Sequence, residues 1–152
     1  MSRSAASGSG ESGNFSAAPA GQPDALSRIA VVLSHTSHPG NIGAAARAMK
    51  TMGLSELRLV NPDVFPSAIA SARASGATDV LDAAQVFTSL QDPIADCVYV
   101  VGSSARGRDF VGEVSDARSA SKALVDATTQ GRVALVFGCE MSGLTNAEVA
   151  HC

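Results

Sequence analysis

A short alanine-rich segment, residues 38–53, combines the residue types of an anion-binding site. It reads HPGNIGAAARAMKTMG, and its helical spacing begins at Asn41, a good helix N-cap. Gly43, Arg47 and Lys50 follow at i, i+4 and i+7, so the bare glycine leaves the first turn approachable and the two cations lie behind it on one side of the predicted helix, as a three-residue phosphate cradle. Free N–H groups at a helix start attract anions, and the arginine fork adds bidentate recognition of phosphate. The segment therefore predicts a phosphate-binding helix start with Arg47 aimed at the phosphate.

The same residues also allow a simpler interpretation. Arg47 and Lys50 could form a solvated helix face, and Gly43 could only permit close packing of another helix. Residue types alone weigh the two interpretations evenly. His35 and His38 flank the preceding loop, but no carboxylate or third ligand lies nearby in sequence, so loop polarity is favoured over a metal site.

Strand-like and helix-like segments alternate along the rest of the chain. Apolar runs predict strands at 29–34, 57–60, 97–103 and 132–138, of which 29–34 and 132–138 are expected to be buried, and a short strand is expected around Val80. Helices are predicted up to Met52, around 66–75 and around 119–129. This alternation implies an α/β fold with a mostly parallel sheet flanked by helices. Ligands bind beyond the carboxyl ends of such strands, which points to the loops after residues 34, 60, 103 and 138.

The first helix has one face whose residues we expect to lie in the core. Its members share a helical spacing and are Ile42, Ala45, Ala46, Met49 and Met52.

Composition limits the domain organisation and the partners. Residues 1–27, mostly Ser, Gly, Ala and Pro, predict a disordered tail, which leaves 28–152 as one domain. The sequence contains no run of eighteen apolar residues, so it predicts no membrane span. Three widely spaced cysteines indicate reduced thiols and a cytoplasmic protein. The net charge of −3 gives no overall attraction to nucleic acid, so an RNA partner must meet a local basic patch.

Two motifs in this order resemble the TrmH/SpoU family, the 2′-O-ribose RNA methyltransferases of the SPOUT class. NIGAAARAMKTMG is similar to the first family motif, Asn-x-Gly-x-x-x-Arg, and VALVFGCEMSGLTNAE (133–148) to the second, Gly-x-Glu-x-x-Gly-Leu after a strand. VVGSSAR (100–106) resembles the loop after an internal strand. The resemblance covers 28–152 and is strongest to the TrmJ branch, which methylates the ribose at nucleotide 32 of the tRNA anticodon loop. It implies an α/β-knot fold, S-adenosylmethionine as cofactor and tRNA as partner.

The resemblance also implies roles for individual residues. Arg47 would approach the target ribose and its phosphate, Asn41 would hold the loop or the nucleotide, and Glu140 would hydrogen-bond that loop or receive the nucleotide. The cofactor would be contacted by Ser103, Ser104, Ala105 and Gly138. RNA would be bound by Arg47, Lys50 and Arg106. Because a guanidinium stays protonated, we interpret Arg47 as a phosphate clamp, with a phosphate oxygen or water accepting the hydroxyl proton.

The chain departs from the family pattern in two places. Cys139 and Met141 stand where many TrmJ-like chains carry arginines, which weakens the positive charge beside Glu140. The chain also ends at Cys152, before the third motif, whose helix ties the trefoil knot around the cofactor. We therefore expect an incomplete methyltransferase domain that lacks the knot-forming segment, and a homodimer for the full-length form.

Two other functions are considered. A nicotinamide-dependent oxidoreductase is disfavoured, because the glycines run Gly40-x-x-Gly43 and the acidic residue Asp63 lies beyond an Asn-Pro turn. A degenerate or truncated RNA-binding protein that keeps the fold without catalysis is the stronger alternative, since the third motif is missing.

Overall fold

A computed structural model describes residues 24–104 and 114–152. These residues form a five-stranded sheet and six α-helices. The strands are β1 (Ile29–Ser34), β2 (Glu56–Val60), β3 (Gln85–Phe87), β4 (Cys97–Ser103) and β5 (Arg132–Phe137). The helices are α1 (Pro39–Thr51), α2 (Ala68–Ala74), α3 (Thr78–Asp82), α4 (Gln91–Ile94), α5 (Ala117–Ala127) and α6 (Asn146–Val149). Short 3-10 turns lie at Ala25–Arg28 and Ser75–Ala77.

The sheet is parallel throughout, with the strand order β3-β2-β1-β5-β4. Ser34 pairs with Val60, and Phe137 pairs with both Leu33 and Ser103, so the strands end together at one edge. The predicted mostly parallel α/β sheet is confirmed. Every residue of β1 is buried, because this central strand is covered on both faces, and this explains its continuous apolar sequence.

Two layers of helices enclose the sheet. On one face, α1, α2 and α3 cover β1 and β2, with a core of Val31, Leu33, Ile42, Ala46, Met49, Leu57, Leu59, Ala70, Ala74, Ala77, Val80 and Leu81. Beside them α5 contributes Leu124, which packs with Ile29 and Val133. The opposite face buries Val32, Val60, Leu90, Ala134, Val136 and Leu144. Of the α1 residues expected in the core, Met52 is 59% exposed, so that part of the prediction is wrong.

Helices α1 and α2 touch backbone to backbone at Gly43. A Cβ atom built on Gly43 would lie 2.1 Å from the carbonyl oxygen of Ala70 and 2.9 Å from the amide nitrogen of Ala74. Only glycine allows the helices to approach this closely. The expectation that Gly43 leaves the first helical turn open to a phosphate is therefore wrong, and the alternative interpretation, close helix packing, is confirmed for this residue.

Two further predictions differ from the structure. The short strand expected around Val80 is instead helix α3, because Ala77, Val80 and Leu81 recur at helical spacing and are buried against α1. The third strand lies later, at β3. Part of the predicted tail, residues 24–27, lies in a described 3-10 turn and its cap, and for residues 1–23 the tail stays a prediction. Asp24 caps the 3-10 turn that begins at Ala25, whereas residues 1–23 lie outside the described ranges.

A buried arginine organises the opposite, amino-terminal edge of the sheet. Arg58 is 4% exposed, and its guanidinium contacts Glu56 at 2.5 Å and Asp96 at 2.7 Å. Arg132 adds a second cation to Glu56. The Arg58 hydrogen bond is the main cause that lowers the pKa of Asp96 to about 2. Because these charges satisfy one another, we interpret the cluster as structural.

Candidate functional site

The loop between β1 and α1 is held in a defined shape. His35 has a φ of 53°, and its backbone N–H donates to the carbonyl of Val60 at 2.8 Å. His38 is the N-cap of α1, because its backbone is extended and its Nδ1 accepts from the N–H of Gly40 at 3.0 Å. Pro39 follows at the first helical position. The prediction that Asn41 is the N-cap is therefore wrong.

Asn41 is the third residue of α1, in the first turn, and its side chain is exposed at the carboxyl edge of the sheet. Because His38 already caps the helix, the Asn41 amide is available to another part of the chain. That partner comes from the segment that follows β5.

A compact turn projects Glu140 from the end of β5. The N–H of Gly143 donates to the carbonyl of Cys139 at 2.7 Å, and Gly143 has a φ of 69°. A Cβ atom on Gly138 would lie 2.2 Å from the backbone of Gly143 and Leu144, so the turn has no room for a larger residue there. The side chain of Leu144, fully buried, fixes the far end of the turn in the core.

The carboxylate of Glu140 joins this turn to the β1–α1 loop. Oε1 accepts from Asn41 Nδ2 at 2.7 Å, and Oε2 accepts from the backbone N–H and the hydroxyl of Ser37, at 3.0 and 2.9 Å. Burial raises the pKa of Glu140, but the hydrogen bonds from Asn41 and Ser37 outweigh it and lower the pKa from 4.5 to about 2. The two family motifs thus meet through one ionised carboxylate.

Removal of either partner of Glu140 is expected to raise its pKa toward 4.5. We expect Asn41→Ala and Ser37→Ala each to raise the pKa of Glu140. Ser71 is an exposed serine on α2, and Ser71→Ala should leave the pKa of Glu140 near 2. Since the folded pKa is the lower one, the carboxylate stabilises the fold above about pH 4.5 and this contribution is lost as the pH falls through about 2. Side-chain carboxyl NMR titration measures the pKa. A Glu140 that titrates near 4.5 in the wild-type chain would contradict the described contacts.

A second carboxylate connects the same two segments. The buried Ser34 hydroxyl donates to Glu148 Oε1 and lies 2.9 Å from His35 Nδ1. Glu148 Oε2 accepts from the backbone N–H and hydroxyl of Thr145, at 2.7 and 2.8 Å, in a capping box at the start of α6. Sequence reasoning missed this contact, although Thr145-x-x-Glu148 is the pattern of a capping box.

The exposed side of α1 forms one wall of a groove. The groove has a volume of about 390 Å³ and is lined by Ala44, Arg47, Ala48, Thr51, Met52 and Arg73. Asn41, Ala44 and Arg47 are spaced by three residues, so the surface continues from the Glu140 contact into the groove. Within the described ranges, no ion pair joins Arg47 to Glu140. Arg47 faces the groove, and Glu140 contacts the same side of α1 nearer to the amino end of the helix.

Lys50 lies outside this groove. Its Nζ is 2.7 Å from Asp79 Oδ1 on α3, and both side chains are about half exposed or more. With Gly43 buried and Lys50 paired, the predicted three-residue cradle does not form, and Arg47 is the member that faces a cavity. The RNA-binding role expected for Lys50 stays a prediction.

The residues expected to contact a cofactor lie at the ends of β4 and β5. Ser103 and Phe137 are paired across these strands and both are exposed, with Gly138 next in the chain and Ser104 following Ser103. Ala105 and Arg106, the other predicted contacts in this loop, lie outside the described residues. A hydroxyl and an aromatic ring side by side suit a ligand with a polar amino-acid part and an aromatic base.

The described residues contain neither a metal site nor a membrane-spanning helix. No group of three His, Cys, Asp or Glu side chains within 24–104 and 114–152 is arranged to hold a metal ion. In the same ranges, no helix is both long and apolar enough to cross a bilayer.

Comparison with known proteins places these features in a family. Residues 28–152 match the family described as the SpoU rRNA Methylase family. The tRNA (cytidine/uridine/adenosine-2′-O-)-methyltransferase TrmJ of Pseudomonas aeruginosa is 55% identical over 128 residues, which cover 84% of this chain and 50% of the relative. The chain therefore spans about half the length of the curated relatives it matches.

Solved structures agree with this placement. A probable methylase family protein from Haemophilus influenzae is 42% identical, with a TM-score of 0.78 over 84% of this chain and 53% of the other. TrmJ from Z. mobilis is 37% identical, with a TM-score of 0.75 over 80% of this chain and 54% of the other.

Proposed function

Because this chain belongs to the SpoU rRNA methylase family, we propose that it carries the methyl-transfer site of a tRNA 2′-O-ribose methyltransferase. The substrate is cytidine or uridine at nucleotide 32 of the anticodon loop, and the methyl donor is S-adenosylmethionine. The observation that supports this most is the Glu140 carboxylate, which ties the motif after β5 to Asn41 on the helix that carries Arg47. Similar relatives carry names with this activity.

Methylation of a ribose hydroxyl depends on positioning and on removal of its proton. The neutral hydroxyl is a poor nucleophile, so the site must hold it in line with the methyl group while a base accepts the proton. A guanidinium cannot be that base, because it stays protonated at working pH. Arg47 instead binds the adjacent phosphate through its two-pronged fork and orients the ribose, and a phosphate oxygen or a water accepts the proton.

Glu140 acts as a positioning residue in this proposal. Both of its oxygens already accept hydrogen bonds from Asn41 and Ser37, and a pKa of about 2 makes it a weak base. Its contacts fix the β1–α1 loop and the first turn of α1. Of the two roles expected for Glu140, holding the loop is therefore favoured over receiving the nucleotide.

We assign the cofactor to the edge formed by β4 and β5. Ser103, Ser104 and Gly138 would hold it, together with Ala105, beside the exposed ring of Phe137. When bound, S-adenosylmethionine supplies an electrophilic methyl group on a sulfonium. A cytoplasmic location and a homodimer are part of the same proposal and rest on the family resemblance.

Methyl incorporation tests the proposal directly. Purified chain is incubated with tritiated S-adenosylmethionine and tRNA transcripts that carry either a ribose or a 2′-deoxyribose at nucleotide 32. A second protein, in which this chain is continued by the carboxyl-terminal half of the Pseudomonas aeruginosa relative, is assayed in parallel. Incorporation into the ribose transcript alone, by either protein, is the expected result. If neither protein transfers methyl groups, the enzyme proposal fails, and retained tRNA binding would favour the non-catalytic RNA-binding alternative.

A further inference from the structure

We propose that Arg73 is a second phosphate-binding residue, and that the groove between Arg47 and Arg73 binds consecutive phosphates of the RNA backbone. The identity of the RNA as tRNA rests on the proposed function. Helix packing and the pairing of charges support phosphate binding in the groove.

The close contact between α1 and α2 brings the two arginines to one cavity. Because Gly43 lets the α2 backbone approach α1, the outer surfaces of the two helices join into one groove. Arg73 lies in the last turn of α2, and its Cγ is 3.5 Å from the position of a Cβ atom on Gly40. Its aliphatic stem therefore lies beside the amino end of α1, and Arg73 and Arg47 line the same groove from different helices.

The charges of other basic side chains are used within the fold. Arg28 donates to the Thr128 carbonyl, Lys50 pairs with Asp79, and Lys122 pairs with Asp126. Arg58 and Arg132 both pair with Glu56 and Asp96. Within 24–104 and 114–152, no such bond is made by the side chains of Arg47, Arg73 or Arg118. In a chain with a net charge of −3, two unpaired guanidiniums in one groove indicate an external anion.

The lining of the groove favours a polyanionic backbone. Ala44 and Ala48 contribute only short side chains to the lining of the groove. None of its lining residues is aromatic, so the groove provides no platform on which bases could stack. The recognition expected here is contact with phosphates, which positions the RNA without reading its sequence.

The third unpaired arginine provides a matched control. Arg118 is exposed on α5, which packs against β4 and β5, and it is not among the residues that line the groove. Removal of its charge changes the net charge of the chain by the same amount as removal of Arg73. A difference between the two variants therefore reports position and not total charge.

Salt-dependent tRNA binding tests the role of Arg73. Dissociation constants of the full chain for a tRNA transcript are measured by fluorescence anisotropy over a range of salt concentrations. Each phosphate contact contributes about 0.7 to 0.9 to the slope of log affinity against log salt. Arg73→Gln is expected to reduce this slope by about 1 and to weaken binding about tenfold at low salt. Arg73→Lys is expected to keep the slope, and Arg118→Gln to leave both quantities unchanged.

The outcomes separate this inference from the proposed function. If Arg73→Gln binds with the wild-type slope, or behaves like Arg118→Gln, the groove does not bind the backbone, even where methyl transfer is observed. Failure of the wild-type chain to bind tRNA also overturns the inference. A slope that depends on Arg73, together with no methyl transfer, supports the groove and removes the proposed function. Circular dichroism of each variant shows whether it is folded.

Discussion

Arg47→Lys is expected to slow methyl transfer to tRNA by about 100-fold, the scale seen when one preorganised donor is removed from a transition state. The substitution keeps the positive charge and removes the fork, which alone can bind two phosphate oxygens in a fixed plane. Because the charge remains, tRNA affinity is expected to change only a few-fold. Single-turnover rates at saturating tRNA and S-adenosylmethionine, in the form of the protein that shows transfer, measure the effect without a contribution from binding.

The matched control for this prediction is Arg118→Lys. It makes the same chemical change on α5, away from the groove, and should leave the rate unchanged. A near wild-type rate for Arg47→Lys would show that a point charge is sufficient at this position, and the fork would then have no part in the mechanism.

Gly43→Ala is expected to destabilise the fold by about 3 kcal/mol, at the upper end of the range for overpacking, because the added atom meets backbone that has no rotamer to change. The new Cβ atom would lie 2.1 Å from the Ala70 carbonyl oxygen, so α1 and α2 must separate. Urea denaturation, followed by far-ultraviolet circular dichroism, gives the change in the free energy of unfolding.

Gly76→Ala is the control for this substitution. No heavy atom lies within 4 Å of the position that its Cβ would take. Its free energy of unfolding should stay within about 0.5 kcal/mol of the wild-type value. Equal stabilities for the two variants would mean that α1 and α2 are not in backbone contact at Gly43, and the shared groove of Arg47 and Arg73 would lose its structural basis.

The strands could be predicted from the sequence because their physical signal is local. Burial on both faces requires an uninterrupted apolar run, as at β1 and for most of β5. The apolar run of β4 also predicts a strand, although β4 lies at the edge of the sheet and its residues are partly or fully exposed. The segment around Val80 was mispredicted because a short apolar pair fits either period, and only packing against α1 selects the helix. The N-cap of α1 was misplaced because a histidine is not among the usual capping residues.

The candidate site could be predicted only as far as its motifs extend. Asn41, Arg47 and Glu140 stand at motif positions, so their sequence spacing marks them. Ser37 and Arg73 are not at motif positions, and their contacts depend on how distant parts of the chain pack together. Sequence alone also cannot tell which cations find an internal partner, and for this reason Lys50 and Arg47 look equivalent before the structure places Asp79 beside Lys50.

The proposed mechanism depends on the contact between Arg47 and the phosphate next to the methylated ribose. To test this contact, one non-bridging oxygen of that phosphate is replaced by sulfur, separately in each stereoisomer, and the single-turnover rate is measured with wild-type protein and with Arg47→Ala. One stereoisomer is expected to slow the wild-type protein by about tenfold and not to slow Arg47→Ala further, since the lost contact is the same in both cases. Equal slowing of both proteins by the sulfur would show that Arg47 does not touch this phosphate, and the proposed mechanism would be wrong.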